Sequence, residues 1–255
     1  MKLNDRQARI LDWVRREEHV QVEALAAAFH LTPQTIRRDL TPLCEAGLLR
    51  RRYGGVSLPS SSVNLSFSSR QVINAPAKRA IAKALADRLP DDASVHLGIG
   101  TTMEFVARAL MGRPCKVLTN NLKVASVLCD SDNTEVIVSG GHLRHNDDDV
   151  VGAATTAFFA DFCADYGIIG CGSLDPNRGA MDFDLREADV SRAIIANARR
   201  RVLIADHSKW ERQALARVVD FDQIDLFITD QLSNDVRHRL PSTLELIETE
   251  AQLTA

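Results

Sequence analysis

The sequence predicts a mixed α/β protein with a small N-terminal winged helix-turn-helix domain and a larger C-terminal α/β domain whose sheet is mostly parallel. Three observations predict it: a capped, basic helix that begins at Thr32, seven serines within residues 57–69, and regular alternation of strands and helices from Ala77 onward. The predicted boundaries are residues 1–57 for the first domain, 58–76 for a flexible serine-rich linker and 77–255 for the second domain.

The first domain begins with two predicted helices, at residues 5–16 and 22–29, followed by a tight turn at His30 and Leu31. Two helices joined by such a turn, the second one capped, are typical of a helix-turn-helix. Pro42 lies inside the helix that begins at Thr32 and removes a backbone donor. We therefore expect a kink or early unwinding near Thr41.

The helix from Thr32 has one apolar face, formed by Ile36, Leu40 and Leu43. Thr32 is a suitable N-cap and Pro33 suits the first helical position. Amide, hydroxyl and guanidinium groups at the start of a helix suit base edges and phosphates in a DNA major groove. The alternative is an ordinary capped helix with a solvated basic face. The predicted DNA contacts on this helix are Thr32, Gln34, Thr35, Arg37 and Arg38.

A short hairpin is predicted from Leu48 to Val56, after a helix C-cap at Gly47. Gly54 and Gly55 permit a tight turn, and three arginines precede it. The pattern is typical of a wing that contacts phosphates or a minor groove, although charged residues also protect edge strands from pairing. The predicted DNA contacts on the wing are Arg50, Arg51, Arg52 and Tyr53.

Charge is distributed unevenly along the chain. Residues 1–58 hold ten Lys and Arg against seven Asp and Glu, a net charge of +3, whereas the remaining residues carry −6. The small basic part is therefore the candidate for nucleic-acid binding. Five scattered cysteines without a Cys-x-x-Cys pair favour a reducing cytoplasm, and no apolar run approaches the length of about 20 residues that a bilayer requires.

The second domain alternates helices with strands. Predicted strands lie at residues 94–97, 116–119, 135–138, 166–170, 201–205 and 225–228, with helices at 78–89, 103–111, near 122–128 and near 153–162. Ligands of such sheets bind at the carboxyl ends of the strands.

Small and hydrogen-bonding residues follow these strands. The segment Gly98–Thr102 leads into a helix, where glycines permit close approach of an anion and the helix N-terminus favours negative charge. A glycine-threonine turn also caps helices that bind nothing. The segment is neither a Walker loop nor a full dinucleotide fingerprint, so no cofactor is expected. The predicted effector contacts are Gly98, Gly100, Thr101, Thr102, Thr119, Asn120, Gly140, Gly141, Gly170, Gly172, Glu187, Arg192 and Lys209.

Other chemistry receives less support from the sequence. His142, His145 and residues 147–149 match no metal-ligand spacing, and no nucleophile lies beside an evident base. No metal site and no catalytic residue are therefore expected. The enzymatic alternative is a sugar-phosphate isomerase with Glu187, Asp182 or Asp184 as its base.

The motifs resemble those of DeoR-type bacterial transcription repressors, in the family's order and over nearly the whole chain. They are Thr35–Leu40, Tyr53–Val56, Gly100–Thr102, Thr119–Asn120, Gly140–Gly141 and Asp206–Lys209. The resemblance implies a winged helix that binds operator DNA and a non-catalytic sensor domain, related in fold to ribose-5-phosphate isomerase, that binds a phosphorylated metabolite.

Within the family, Leu58–Asn64, Thr119–Leu122, Phe183–Asp184 and Arg192–Ile195 resemble members that respond to glycerol 3-phosphate. The chain departs from the usual pattern at Pro42, at Cys171–Asp175 and at Ser191–Arg192. The resemblance favours glycerol 3-phosphate as effector, with another phosphorylated sugar metabolite as the alternative. A palindromic operator would require a homo-oligomer, at least a dimer.

Overall fold

The computed structural model describes residues 4–17, 19–45, 48–57, 67–145 and 147–250. The chain divides into two compact units, Met1–Ile73 and Asn74–Ala255. The division falls inside the segment predicted as a linker. Linker residues 58–66 and the predicted C-cap Gly47 lie outside the described residues.

The N-terminal unit is a winged helix-turn-helix, as predicted. Its core contains Ile10, Leu25, Ile36 and Leu43, each with no exposed surface. Antiparallel pairing gives the wing the strand order β1-β3-β2, so a short strand not predicted from the sequence completes it. The elements are α1 (Asp5–Glu17), β1 (His19–Gln21), α2 (Val22–Phe29), α3 (Pro33–Glu45), β2 (Arg50–Arg52) and β3 (Gly55–Ser57).

Helix α3 continues through Pro42 to Glu45, so the predicted early unwinding near Thr41 is wrong. Pro42 lacks the N–H that would reach the Arg38 carbonyl, but the helix needs only one more turn beyond it. The Thr41 hydroxyl donates to the Arg37 carbonyl at 2.8 Å, which adds a hydrogen bond in the turn before the proline.

The segment after residue 66 is helical, which corrects the linker prediction there. Helix α4 (Phe67–Val72) buries Phe67, with the Arg70 guanidinium 5.8 Å from its ring centroid. Serine content alone predicted flexibility and gave no weight to this aromatic anchor. Helix α5 (Ala75–Ala86) begins three residues earlier than predicted.

The C-terminal unit is built on a seven-stranded sheet, order β15-β14-β12-β9-β4-β5-β6, in which every neighbouring pair is parallel. The predicted parallel α/β architecture is therefore confirmed. The remaining strands are β4 (Ala93–Leu97), β5 (Cys115–Thr119), β6 (Thr134–Val138), β7 (His142–Arg144), β8 (Asp149–Val151), β9 (Ala164–Ile169), β10 (Ser173–Asp175), β11 (Gly179–Asp182), β12 (Ala198–Ile204), β13 (Ala216–Val219), β14 (Leu226–Thr229) and β15 (Glu245–Glu248). The remaining helices are α6 (Thr101–Leu110), α7 (Leu122–Leu128), α8 (Ala153–Ala160), α9 (Leu185–Ala196) and α10 (Asn234–Arg239), with 3₁₀ turns at His207–Glu211 and Phe221–Gln223.

Alternate residues of each central strand enter two separate cores. Val202 and Ile204 pack with helices α5, α6 and α7, whereas Leu203 between them packs with α8 and α9. A strand covered by helices on both faces must be apolar on both, which explains the near-continuous apolar runs of the sequence. Among the described residues, no helix combines the length and apolar character required to span a membrane.

The strand order reverses beside β4. From β4 the chain adds β5 and then β6 on one side, and it later adds β9, β12, β14 and β15 on the other. The carboxyl ends of β4 and β9 therefore flank the switch point at which ligands of open α/β sheets bind. Gly98 and Gly170 are the first residues beyond these two strand ends.

Candidate DNA-binding surface and effector site

The predicted DNA-contacting residues of α3 lie at its exposed start. The Thr32 hydroxyl accepts from the Thr35 amide at 3.2 Å and lies 2.9 Å from the Thr35 hydroxyl, so Thr32 caps the helix as expected. Gln34, Arg37 and Arg38 are exposed, and Thr35 is half-buried. Two guanidinium groups and a side-chain amide are thus presented at the start of the helix, a suitable arrangement for phosphates and base edges.

Asp39 lies in the same stretch but faces inward. Its carboxylate accepts from Arg6 Nε at 2.6 Å and from Arg6 Nη2 at 2.9 Å. The Gln7 side chain donates to the Asp39 carbonyl at 3.4 Å. Two side chains of α1 therefore hold α3, the helix with the predicted DNA contacts and hence the recognition helix. The sequence did not predict this role for Arg6, because 33 residues separate the two members of the pair.

The wing presents Arg50, Arg52 and Tyr53 to solvent, and 88% of the Tyr53 surface is exposed. Tyr53 (φ 40°) and Gly54 (φ 79°) form a two-residue turn with positive φ at both positions, as in a type I′ hairpin. Arg51 differs from its neighbours because its Nη2 donates to the Thr41 hydroxyl of α3 at 2.8 Å.

Helix α3 and the wing enclose a cleft of about 250 Å³. Three of the predicted arginines and the tyrosine line it, which brings both predicted groups of DNA contacts to one surface. Arg37 also lies 3.7 Å from the Glu23 carboxylate of α2. The polar lining residues are Arg37, Arg51, Arg52 and Tyr53.

In the C-terminal unit, Gly100 and Thr101 begin helix α6 at the end of β4. Gly100 has φ +113°, a conformation that favours glycine, and an added Cβ would meet no atom within 4 Å. Thr101 and Thr102 are buried in the first turn. The Lys78 ammonium, on a residue only 2% exposed, donates to the Thr101 hydroxyl at 3.1 Å. No sequence pattern indicated Lys78, which resembles any charged residue of an amphipathic helix.

Asp206, at the end of β12, is the centre of a buried polar network. Its Oδ1 accepts from the Asn74 side-chain amide at 2.7 Å and from the Ser208 hydroxyl at 2.5 Å. Burial would raise the pKa of Asp206, but the ammonium groups of Lys209 and Lys78, with these hydrogen bonds, lower it to about 2. Asp206 is therefore an anion, and it gathers the predicted Lys209 and the unpredicted Lys78 at one edge of the sheet.

His207 is held by Asp230, at the end of β14. The His207 amide donates to Oδ1 at 2.7 Å, and ring Nδ1 lies 2.6 Å from Oδ2. The hydrogen bond with Asp230 raises the pKa of His207 above its ordinary value, against the opposing effect of partial burial. This pair fixes the loop that carries Lys209.

The side chains of Thr119 and Asn120, at the end of β5, form hydrogen bonds to the main chain of two other strands. The Thr119 hydroxyl donates to the Leu97 carbonyl and the Asn120 side-chain amide donates to the Val150 carbonyl, each at 2.7 Å. The Asn120 Oδ1 is buried and has no hydrogen-bond partner among the described residues. It is an acceptor that a bound hydroxyl could satisfy.

Several predicted glycines are explained by packing of the chain itself. At Gly141 (φ +144°) an added Cβ would lie 2.3 Å from the Thr155 hydroxyl, and at Gly172 it would lie 2.7 Å from the Phe183 ring. At Gly98 the nearest atom would be 3.2 Å away, whereas at Gly170 the contact would be an ordinary 3.5 Å. The carbonyl of Gly140 accepts from the Thr155 hydroxyl at 2.9 Å.

Glu187 and Arg192 of α9 have protein partners. Glu187 is buried and binds Arg144, whose guanidinium also binds both carboxylate oxygens of Asp149 at 2.8 and 2.6 Å. Burial raises the pKa of Asp149 to about 6, although Arg144 opposes the shift. Arg192 binds Asp189 and the Arg217 carbonyl. Both residues therefore form salt bridges or hydrogen bonds within the protein, and their contact with an effector stays a prediction.

Over the residues that the structure describes, no group of three or more His, Cys, Asp and Glu is arranged to hold a metal ion. All five cysteines are free thiols. Burial raises the pKa of Cys171, at the switch point, so its thiol is the protonated, less reactive form.

Comparison with known proteins gives both units the same family. Residues 6–62 match the model of the DeoR-like helix-turn-helix domain, and residues 73–231 match the DeoR C-terminal sensor domain. The chain is also similar to ribose 5-phosphate isomerase A from Neisseria gonorrhoeae, with 19% identity over 53% of each chain and a TM-score of 0.38.

Curated relatives match over most of their length. The glycerol-3-phosphate regulon repressor of Escherichia coli K12 is 38% identical over 90% of this chain and 92% of that protein. The HTH-type transcriptional repressor CsqR of the same strain is 36% identical over 90% of this chain and 88% of that protein. With two matching domain models and relatives of this extent, the chain belongs to the DeoR family.

Proposed function

We propose that this chain is a transcriptional repressor that binds operator DNA through its winged helix and leaves the DNA when its sensor unit binds glycerol 3-phosphate. The observation that carries the proposal is the similarity of nearly the whole chain to a glycerol-3-phosphate regulon repressor. Repression and the regulon are taken from the name of that relative, whereas operator binding and glycerol 3-phosphate as effector are what the family resemblance implies.

The N-terminal unit supports the DNA half of the proposal. Helix α3 exposes Arg37 and Arg38, the wing exposes Arg50 and Arg52, and Arg37 and Arg52 line the same cleft. An α-helix fits the major groove, and arginines satisfy phosphates or pair with guanine. Residues 1–58 carry a net charge of +3, which favours DNA binding by this part of the chain and not by the acidic remainder.

The C-terminal unit supports the phosphate half. Lys78, Lys209 and the start of α6 at Thr101 supply two ammonium groups and main-chain donors near one strand edge. Such groups stabilise a phosphate dianion. The glycine-only conformation of Gly100 permits close approach of the main chain, and Asn120 Oδ1 is an acceptor for a glycerol hydroxyl.

Gel-shift titration tests the proposal, with an operator first selected by the purified chain from a random duplex library. Glycerol 3-phosphate is expected to lower operator affinity, and inorganic phosphate and glycerol are the matched controls. Arg37→Ala and Arg38→Ala should weaken DNA binding and leave effector binding intact, whereas Lys209→Ala and Thr101→Ala should do the reverse. Loss of the effector response in Arg37→Ala at normal DNA affinity would contradict the assignment.

A second effector class is favoured by one observation: the chain is almost as similar to CsqR as to the glycerol-3-phosphate regulon repressor. The name of CsqR does not refer to glycerol 3-phosphate, and the family resemblance makes another phosphorylated sugar metabolite the alternative ligand. A thermal-shift screen against phosphorylated metabolites separates the two, because a ligand of the folded state raises the unfolding midpoint. If a sugar phosphate raises the unfolding midpoint more than glycerol 3-phosphate does, the sugar phosphate becomes the assigned effector.

We further propose a cytoplasmic homo-oligomer, at least a dimer, without isomerase activity. Two-fold operators are read by two recognition helices, which requires a second copy. Glu187, the first candidate for an isomerase base, is buried and its carboxylate is bound to Arg144. Light scattering tests the oligomer, and turnover in a coupled isomerase assay would contradict the non-enzymatic assignment.

A further inference from the structure

Asn74 is the first residue of the C-terminal unit and has an unusual backbone conformation. Its φ of 53° is left-handed, which asparagine tolerates better than most residues. Although Asn74 precedes helix α5, its side chain does not cap that helix. The amide instead donates to Asp206, 132 residues further along the chain, at 2.7 Å.

The same turn of chain carries one of the proposed phosphate-binding groups. The Lys78 amide donates to the Asn74 carbonyl at 3.0 Å, and the Lys78 ammonium donates to Thr101. Besides the neighbouring Ser208, Asp206 therefore interacts with Asn74 at the start of the unit and with the ammonium groups of Lys78 and Lys209. All of these groups belong to the C-terminal unit.

A phosphate bound at the two lysines would compete with Asp206 for them. Both anions need the same ammonium groups, and at short range two like charges in a buried site repel each other strongly. Asp206 would have to shift or lose part of its stabilisation. Because Asn74 is bonded to Asp206, such a shift would alter the start of α5, to which residues 67–73 are covalently joined.

We propose that the Asn74–Asp206 hydrogen bond conveys effector occupancy to the point where the chain enters the sensor unit, and that Asn74 is a positioning residue for this coupling. The inference rests on the proposed function, since it takes Lys78 and Lys209 as the phosphate site. An effector changes DNA affinity only if it binds the DNA-competent and the DNA-incompetent conformations unequally. In our proposal the Asn74–Asp206 hydrogen bond differs between these two conformations.

The test variant is Asn74→Gly in the full-length chain. Glycine keeps the left-handed backbone and removes only the side-chain amide. Isothermal titration should give a glycerol 3-phosphate affinity near that of wild type. The ratio of operator affinities without and with glycerol 3-phosphate should fall toward one, a loss of roughly tenfold if coupling has its usual size.

Asp92→Gly is the matched control, because Asp92 is an exposed residue of the same unit with φ 62° and does not contact Asp206. It should respond to glycerol 3-phosphate as wild type does. A second variant, Asn74→Asp, keeps a residue that tolerates this conformation but places a carboxylate against Asp206. It should weaken operator binding even without effector, and thermal unfolding of each variant confirms that it is folded.

Three outcomes would overturn the inference. An unchanged affinity ratio in Asn74→Gly, with normal binding of glycerol 3-phosphate, overturns it and leaves the proposed function standing. Complete loss of glycerol 3-phosphate binding in Asn74→Gly makes Asn74 a ligand contact and also overturns it. A wild-type chain that neither binds glycerol 3-phosphate nor responds to it overturns the proposed function together with this inference.

Discussion

The guanidinium of Arg6 on α1 binds both carboxylate oxygens of Asp39 on the recognition helix α3. The pair joins the first helix of the unit to the inner side of the helix that presents Arg37 and Arg38. It therefore fixes the orientation of the DNA-contacting face without itself being part of that face.

Arg6→Ala should lower the unfolding midpoint of the N-terminal unit and weaken operator binding several-fold, because Asp39 would remain as a buried carboxylate without its guanidinium partner. Arg6→Lys should be intermediate, since lysine cannot form the two parallel hydrogen bonds. Gel shift and thermal unfolding measure both effects. Arg16→Ala is the control, because Arg16 is exposed and donates to the Asp12 carbonyl of its own helix, and equal effects in the two variants would contradict the positioning role.

Thr41→Val should reproduce part of the effect of Arg51→Ala on DNA binding. The Thr41 hydroxyl is the acceptor that holds Arg51 against α3, and valine removes it at nearly constant shape. Salt dependence separates the roles of the wing arginines. Arg50→Ala should reduce the salt slope of binding by about one if Arg50 contacts a phosphate, whereas Thr41→Val should leave the slope unchanged. A reduced slope in Thr41→Val would count against this distinction.

Lys78→Met should weaken glycerol 3-phosphate binding by roughly ten- to a hundredfold, the usual effect of losing a charged hydrogen bond of about 1.5–3 kcal/mol. Lys83→Met is the matched control on the same helix, because Lys83 is exposed and pairs only locally with Asp87. Isothermal titration gives the affinities. Equal binding by wild type and Lys78→Met would remove Lys78 from the effector site.

Gly100→Ala should weaken glycerol 3-phosphate binding more than its effect on stability explains. Its φ of +113° is costly for alanine, at about 1–3 kcal/mol, but the added Cβ meets no atom of the protein. Gly112→Ala has the same two properties, with φ +78°, at the far end of α6. If both variants bind the effector equally well, the main chain at Gly100 does not approach the ligand.

The His207–Asp230 pair should make stability depend on pH. The pKa of His207 is raised in the folded state by its hydrogen bond to Asp230, so folding favours the protonated ring. The pair therefore stabilises the folded state fully below the pKa of histidine in the unfolded chain, about 6.5. This stabilisation is lost as pH rises through the pKa of His207 in the folded state. Urea unfolding of wild type and His207→Gln across this range measures it. A constant difference between the two at every pH would exclude the effect.

Local patterns predicted the main elements because periodicity and capping act over a few residues. Six of the seven strands of the large sheet were expected, since apolar runs such as Val202–Ile204 mark strands covered on both faces. The strands that were missed are β1, β7, β8, β10, β11, β13 and β15. Each has only three or four residues, too few for a periodic pattern to stand out, and is defined by its pairing with another strand.

The candidate site was predicted in part for a similar reason. Parallel strands bring their carboxyl ends to one edge, so Thr101 and Lys209 could be placed together from their positions after two strands. Lys78 and Asn74 could not, because both precede the first strand of the sheet. Only the tertiary structure shows that they reach Thr101 and Asp206.

The strand order also has a consequence for synthesis on the ribosome. As the chain emerges from its N-terminus, β4 can pair with β5 and β5 with β6, but the other edge of β4 has no partner until residues 164–169 are translated. Unpaired edges of apolar strands are prone to association with other chains. The winged helix, complete by residue 57, can fold well before this edge is covered. A nascent chain of intermediate length would thus carry a folded DNA-binding unit together with an incomplete sheet. At this stage of synthesis the chain most needs protection from aggregation.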